Sequence, residues 1–143
     1  MPTRKATAVW EGGLKEGKGS IATERGIKSP YGFLSRFGDG SPSGTNPEEL
    51  LAAAHAACFS MALGAALEGM GKPAVKIETT GACTVEKAGE GFKISKMQLT
   101  VRANVPGVDD ATFQQVAQKT KEGCPVSGAL KAVPSMEMDA KLV

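Results

Sequence analysis

The sequence has 143 residues, which is the size of one ordinary domain, and we treat residues 1–143 as a single domain. Apolar residues make up 41%, charged residues 22%, and the net charge is +2 without a Lys/Arg cluster, so composition excludes a disordered chain and gives no electrostatic footprint for nucleic acid. Only 5% of residues are aromatic, so we expect a second copy of the chain to complete the core.

The N-terminal third is typical of short strands separated by turns. Strands are predicted at residues 5–10, 19–23 and 31–37. The stretch "GDGSPSG", residues 38–44, is a loop by composition.

The clearest helix start is "TNPEEL", residues 45–50. With Asn46 as N-cap, the proline falls at the first helical position and Glu49 at the third. With Thr45 as N-cap, Glu48 becomes the capping-box partner. The sequence leaves both possibilities open.

This helix is predicted to run to Met70 and to stop at Gly71. Residues 50–67 carry no formal charge, which is near the lower limit for a membrane span. A histidine, a serine and a glycine inside the stretch, together with its many alanines, favour a buried central helix instead. We therefore expect no membrane association.

Residues 75–86 alternate between apolar and polar, and a second alternating strand follows at residues 92–105. Together they predict a hairpin. The apolar positions of the second strand shift from even to odd near Lys96, which predicts a β-bulge there.

A second helix is predicted after "VPGVDD" and ends at Gly123. A short helix follows, with Cys124 at its N-cap, and residues 135–142 alternate weakly as a last strand. Strands first and last with helices between them predict an α+β fold.

The three cysteines lie far apart in sequence and in different settings, which excludes a disulfide framework and a CxxC zinc pair and favours the reducing cytoplasm. Cys83 lies on the apolar face of a strand and is expected to be a core residue. Cys58 lies mid-helix among small apolar residues, which raise a thiol pKa, so it is inert unless a cation is brought to it. Cys124 opens a helix and is the more obvious thiolate from local chemistry alone.

A cation for Cys58 has few sources, because the chain has four arginines. Arg36 is flanked by apolar residues in "YGFLSRF", so it is either half-buried beside a carboxylate, such as Glu48 or Glu49, or an ordinary strand arginine that faces water. His55, one turn before Cys58, either forms a Cys–His pair of the hydrolase type or packs as a core histidine.

Two stretches, "TNPEELLAAAHAACFSMAL" and "GCPVSGAL", resemble the OsmC/Ohr family of hydroperoxide-resistance proteins, and within it the osmotically inducible branch. The resemblance covers essentially the whole chain. It implies a thiol-dependent peroxidase acting on organic hydroperoxides. It also implies that Cys58 is the peroxidatic cysteine and Cys124 the resolving cysteine, with Arg36 and Glu48 activating the thiolate. In the Ohr branch the arginine comes from an earlier loop, where this chain offers Lys18.

The fold implied by the resemblance is an intertwined homodimer whose β-sheets wrap two long central helices. We expect no bound cofactor and no metal ion. The implied electron donor is an external dithiol, of the lipoyl type in the relatives.

Helix geometry places a constraint on this arrangement. Glu48 and Cys58 are ten residues apart, which separates them by ~15 Å along the helix and by about 80° around it. We therefore predict that Arg36 and Glu48 of one chain serve the cysteine of the other. The rival hypotheses are a dimer that binds a small apolar ligand without turnover and a Cys–His hydrolase.

Overall fold

The computed structural model describes residues 1–38 and 44–143, which form two compact units, Met1–Leu50 and Leu51–Val143. The loop predicted at residues 38–44 falls largely on residues 39–43, outside the described residues.

The first unit contains a three-stranded antiparallel sheet in the order β1-β2-β3. Its strands are β1 (Ala6–Glu11), β2 (Lys18–Thr23) and β3 (Lys28–Tyr31). The first two agree with the predicted strands. Every residue of β1 is exposed, although the Trp10 ring lies 5.5 Å from the ring of Tyr31 on β3.

The strand predicted at residues 31–37 is wrong. Tyr31 ends β3, and a short helix, α1, follows at Phe33–Phe37. The two phenylalanines are four positions apart, so a helical turn brings their rings to 5.5 Å between centroids. The Ser35 hydroxyl binds the backbone N–H of Gly32 at 2.9 Å, which fixes the helix start. Arg36 is therefore a helical residue.

The long helix α2 spans Pro47–Gly69. Asn46 is its N-cap, because the Asn46 side-chain oxygen accepts a 2.8 Å hydrogen bond from the backbone N–H of Glu49. Thr45 contributes differently, by donating its hydroxyl to the Glu49 carboxylate at 3.1 Å. Gly71, with φ of +70°, follows the helix end as predicted.

The second unit contains a three-stranded sheet in the order β4-β5-β6 and two further helices. These elements are β4 (Lys76–Ala88), β5 (Gly91–Asn104), α3 (Asp110–Gly123), α4 (Pro125–Ala129) and β6 (Ser135–Leu142). Strands β4 and β5 are antiparallel, whereas β6 runs parallel to β5. The bulge is confirmed next to Lys96, because the pairing skips Ser95.

The core of the second unit lies between α2, α3 and the sheet. Its fully buried side chains include Phe59, Leu63, Leu67, Leu99, Val101 and Phe113. The α2 residues among them recur every four positions, so they occupy one face of the helix.

The opposite face of α2 is apolar and uncovered. Ala54, Ala57, Met61 and Ala65 are all exposed, and Met61 is 76% exposed. By length and composition α2 could also cross a membrane, and 28% of its most apolar stretch is buried. A single chain thus covers one side of a helix that is apolar on both sides.

Candidate active site

Cys58 and Cys124 meet in the second unit, with their sulfur atoms 2.9 Å apart. Cys58 projects from the middle of α2. Cys124 lies at the junction of two helices, where it is both the C-cap of α3 and the N-cap of α4. Its backbone N–H donates to the carbonyl of Thr120 at 2.9 Å, and Pro125 starts the next helix. The junction therefore fixes the direction of the Cys124 side chain toward α2.

The two thiols differ in access. Cys124 is 2% exposed, whereas Cys58 is half-buried. A reagent that arrives from solvent therefore reaches the Cys58 sulfur first, and Cys124 stands behind it.

The two thiols also differ in acidity. Burial raises the pKa of the Cys58 thiol and its hydrogen bond to Cys124 raises it further, while the backbone N–H of Val126 opposes both. Burial also raises the pKa of the Cys124 thiol, but the interactions with Cys58, Ser127 and Val126 outweigh this and leave its pKa below the ordinary value. Within one chain Cys124 is the more acidic thiol, in agreement with the expectation from local chemistry.

His55 does not pair with Cys58. Its side chain is fully buried, and its Nε2 atom lies 2.8 Å from the hydroxyl of Ser127. Its Nδ1 atom has no hydrogen-bond partner in the described part of the chain. Burial lowers the His55 pKa, and the charge of Lys121 lowers it further. The imidazole is therefore a neutral core group hydrogen-bonded to serine.

Ser127 is the residue of this cluster that sequence reasoning missed. It is 4% exposed and lies at the third position of α4. The available signal was the spacing in "GCPVSGAL", where a hydroxyl stands one helical turn after the cysteine.

Arg36 and Glu48 form an ion pair in the first unit. The Arg36 Nε atom lies 3.0 and 3.2 Å from the two Glu48 carboxylate oxygens, and Nη2 lies 2.8 Å from Oε1. The Glu48 side chain is 8% exposed and that of Arg36 40%. Of the two candidate carboxylates, Glu48 is thus the partner. The contact is of the forked type that fixes the guanidinium plane.

The start of α2 holds α1, and with it Arg36, in place. The Asn46 side-chain amide donates to the Ser35 carbonyl at 2.8 Å, while its oxygen caps α2. The Ser35 hydroxyl also bonds the Thr45 carbonyl at 3.0 Å. Arg36 and Glu48 are therefore brought together by the contacts of Ser35, in α1, with Thr45 and Asn46 at the start of α2.

A cavity of about 320 Å³ opens beside Arg36 in the first unit. Its walls are mostly aromatic and include Trp10, Leu14, Tyr31, Phe33 and Phe37. The Arg36 guanidinium lies 4.9 Å from the centre of the Phe37 ring. The cavity thus combines apolar walls with one cation at its edge.

The remaining candidates lie apart from these two clusters. Cys83 lies on the same face of β4 as Ile77, as predicted, but it is half-buried and does not belong to the core cluster in which it was expected. Lys18 is exposed at the start of β2. Among the described residues, no group of three or more His, Cys, Asp or Glu side chains could hold a metal ion.

Comparison with known proteins places these features in a family. Residues 38–139 match the family of OsmC-like proteins. The chain is 47% identical over 140 residues to peroxiredoxin OsmC of Escherichia coli, covering 96% of each chain. It is 30% identical over 130 residues to an organic hydroperoxide resistance protein of Xanthomonas axonopodis, covering 90% of this chain and 87% of the other.

The fold comparison agrees. The crystal structure of the organic hydroperoxide resistance protein OhrB of Bacillus subtilis is similar, with a TM-score of 0.67, 26% identity, and 97% and 98% of the two chains covered. The α+β fold predicted from the sequence is therefore that of the OsmC/Ohr proteins. The chain belongs to the OsmC family.

Proposed function

We propose that this protein is a thiol-dependent peroxidase that reduces organic hydroperoxides to alcohols. The observation that carries the proposal is the 2.9 Å approach of the Cys58 and Cys124 sulfurs, one half-buried and the other fully buried. Relatives named peroxiredoxin and organic hydroperoxide resistance protein support the same chemistry.

The reaction proceeds in three steps. The Cys58 thiolate attacks the terminal peroxide oxygen, the O–O bond breaks, and the alkoxide leaves and takes up a proton to become an alcohol. Cys58 is then a sulfenic acid, which Cys124 attacks through its sulfur; hydroxide leaves and is protonated to water as the disulfide forms. An external dithiol reduces the disulfide by exchange and restores both thiols.

The first step requires a cation at Cys58. Its own surroundings raise the pKa of the Cys58 thiol, which disfavours the thiolate. Arg36 is the cation we assign, because Glu48 holds its guanidinium plane and part of the group stays exposed. The guanidinium also stabilises the charge that develops on the leaving alkoxide.

The cation comes from a partner chain. Glu48 precedes Cys58 by ten residues on α2, which is ~15 Å along the axis, so a guanidinium held by Glu48 does not meet the cysteine of its own helix. A homodimer in which Arg36 and Glu48 of one protomer serve Cys58 of the other removes this difficulty. The uncovered face of α2, with its small Ala54 and Ala57, suits close packing of two such helices.

The substrate class follows from the apolar surroundings. The cavity beside Arg36 is lined by aromatic side chains, and Leu51 and Met61 flank the turn of α2 that carries Cys58. Such walls bind the hydrocarbon part of an alkyl hydroperoxide. Hydrogen peroxide has no hydrocarbon part, so it gains no such contacts.

Thiol titration tests the proposal. The reduced protein is treated with a slight excess of tert-butyl hydroperoxide and its free thiols are counted. A peroxidase loses two of its three thiols, and peptide mass analysis finds Cys58 joined to Cys124, with Cys83 still reduced. Retention of all three thiols contradicts the proposal and favours an apolar-ligand binder, whereas turnover of an ester that survives Cys124→Ser favours a hydrolase.

A further inference from the structure

We propose that Gly19 is a specificity-determining residue, through which the cavity beside Arg36 prefers aryl hydroperoxides to those with a flexible alkyl chain. Gly19 has no side chain, so the Tyr31 ring lies over it and meets the Trp10 ring from the other side of β2. The two rings form one wall of the cavity. The inference rests on the proposed function and specifies the hydrocarbon group that its substrate carries.

Gly19 stands between two aromatic residues in one row across the first sheet. On β2 it pairs with Trp10 of β1 on one side and with Tyr31 of β3 on the other. Residues paired in this way point to the same face of a sheet. Strands two apart in a sheet are roughly 9–10 Å apart, yet the centroids of the two rings are only 5.5 Å apart. The rings therefore lean toward each other above the middle strand.

The missing side chain at position 19 gives the Tyr31 ring its place. A Cβ atom on Gly19 would overlap this ring. The φ angle of Gly19 is not positive, so its backbone conformation does not by itself require glycine. Any larger residue at this position must displace the ring. The packing of Tyr31 is therefore the physical reason for a glycine in the middle of β2.

The Trp10 ring is held by the turn that follows β1. Its Nε1–H donates to the carbonyl of Gly12 at 3.0 Å. The ring also occupies the space over Gly17, where a Cβ atom would lie 2.6 Å from it. The wall formed by Trp10 and Tyr31 is thus in place before a substrate arrives, which reduces the entropy lost on binding.

Aromatic side chains are concentrated at this cavity. Four of the seven aromatic residues of the chain line it: Trp10, Tyr31, Phe33 and Phe37. They form two pairs, each with ring centroids 5.5 Å apart. Contacts between rings strengthen the binding of an aryl group about two- to tenfold beyond the burial of its area, and an aryl group loses less conformational freedom than a chain. Arg36, at the edge of the same cavity, attracts the peroxide oxygens.

Two hydroperoxides that differ in one group test the inference. They are cumene hydroperoxide and its analogue with a hexyl chain in place of the phenyl ring, and kcat/KM is measured for each with dithiothreitol as the reductant. The ratio of the two values is compared between variants, so the intrinsic reactivity of each peroxide cancels. We expect the unchanged protein to favour the aryl substrate. Gly19→Ala, which displaces the Tyr31 ring, should lower the ratio about fivefold.

Gly13→Ala is the matched control. Gly13 lies in the loop between β1 and β2, its φ is not positive, and a Cβ atom there would meet no other group within 4 Å. It makes the same chemical change in the same unit without touching the aromatic wall, so the ratio should stay as it is. Equal ratios for the Gly19→Ala and Gly13→Ala proteins would overturn the inference.

Variants of Tyr31 keep the inference testable if Gly19→Ala does not fold. Tyr31→Phe keeps the ring and should retain the preference for the aryl substrate, whereas Tyr31→Leu removes the ring and should lower the ratio about fivefold. In the Tyr31→Leu background, Gly19→Ala should have no further effect on the ratio, because the ring that the new Cβ atom displaces is absent. Equal ratios for Tyr31→Phe and Tyr31→Leu would contradict the inference.

Binding of the product alcohol separates this inference from the proposed function. Trp10 is the only tryptophan of the chain, so its fluorescence reports the occupancy of the cavity that it lines. Cumyl alcohol cannot oxidise a thiol, and we expect it to bind saturably, with a Kd about fivefold higher for Gly19→Ala and unaltered for Gly13→Ala. Absence of saturable binding to the unchanged chain would overturn the inference.

The two kinds of failure are then distinct. If the unchanged chain turns over no hydroperoxide, the proposed function fails, while the binding of cumyl alcohol still tests the aromatic wall. If it turns over both hydroperoxides with no preference for the aryl substrate, the proposed function stands and the role of Gly19 is refuted.

Discussion

The sulfur atoms of Cys58 and Cys124 lie 2.9 Å apart although 66 positions separate the residues in sequence. A disulfide needs about 2.05 Å between sulfurs, so oxidation requires a shift of less than about 1 Å. Because Cys124 is fixed at both a helix end and a helix start, this shift falls mostly on side-chain rotation. The two sulfurs are therefore close to the separation of the Cys58–Cys124 disulfide that the proposed reaction requires.

Replacing Cys58 and replacing Cys124 should affect peroxide turnover in different ways. Cys58→Ser removes the nucleophile, and we expect no peroxide consumption above background. Cys124→Ser leaves the nucleophile but no resolving thiol, so the enzyme should complete one turnover and then accumulate sulfinic acid at Cys58. Intact-mass analysis after stepwise addition of peroxide measures both outcomes.

Cys83→Ser is the control for this pair. Cys83 is half-buried on β4 and has no part in the proposed reaction. Its replacement should leave peroxide turnover unchanged. A loss of turnover equal to that of Cys58→Ser would contradict the assignment of the cysteines.

Removing the Glu48 charge should weaken catalysis. Glu48→Gln keeps the side-chain shape but loses the charged fork that orients Arg36, and we expect kcat/KM for an alkyl hydroperoxide to fall about 100-fold. Arg36→Lys retains the positive charge but cannot make the forked contact with the carboxylate. Its kcat/KM should fall by a similar factor.

Glu49→Gln serves as the matched control for the Glu48 variant. Glu49 is a neighbouring carboxylate in the same first turn of α2, and its side chain contacts Thr45. Both substitutions remove one favourable charge from the helix start, so a difference in kcat/KM isolates the Arg36 contact. Equal effects of the two would refute the role of Glu48.

Much of the fold could be predicted because the signals are local. Three sequence patterns each indicate the structure of the residues that carry them: the cap and proline at the start of α2, the alternation in β4 and the shifted pattern near Lys96. The helix at Phe33–Phe37 was missed because five apolar-rich residues fit a strand or a helical turn equally well. The ring contact between Phe33 and Phe37 and the bond from the Gly32 N–H to the Ser35 hydroxyl accompany the helical turn.

The site was predictable in part. The sequence identified Cys58 and Cys124 as candidate reactive thiols, and the family resemblance assigned both to one reaction. Contacts over long sequence separation leave no local signal, so the bond between His55 and Ser127, 72 positions apart, could not be anticipated. The parallel pairing of β6 with β5 could not be anticipated either, because the connection between the two strands sets their relative direction and no local pattern indicates it.

The uncovered face of α2 should control assembly and activity together. Ala57→Glu places a charge on this face, and we expect it to give a monomer by size-exclusion chromatography with light scattering, and to lose peroxide turnover. Ala111→Glu, at an exposed position of α3, is the control and should change neither. A monomeric but fully active Ala57→Glu protein would refute the shared site.

Substrate preference should follow the apolar walls. We expect kcat/KM for an alkyl or aryl hydroperoxide to exceed that for hydrogen peroxide by at least about tenfold, since burying a few CH₂ groups contributes roughly 0.8 kcal/mol each. Phe33→Ala, at the cavity beside Arg36, should reduce the difference chiefly through KM for the larger substrate. Comparable kcat/KM values for both peroxides in the unchanged protein would contradict this substrate assignment.

The pH dependence of stability should report His55 directly, because it is the only histidine in the chain. Burial and Lys121 lower its pKa in the folded state, so the unfolded chain binds a proton more readily. The free energy of unfolding should therefore be highest above the unfolded pKa of about 6.5 and fall as pH decreases below it, by up to about 1.4 kcal/mol per pH unit for each chain. Urea unfolding between pH 5 and 7.5, at one fixed protein concentration, measures the slope. His55→Gln cannot take up this proton and should flatten the slope above pH 5.5, whereas Ser60→Ala, which removes the hydrogen bond to the Thr79 hydroxyl, should lower stability equally at every pH in this range.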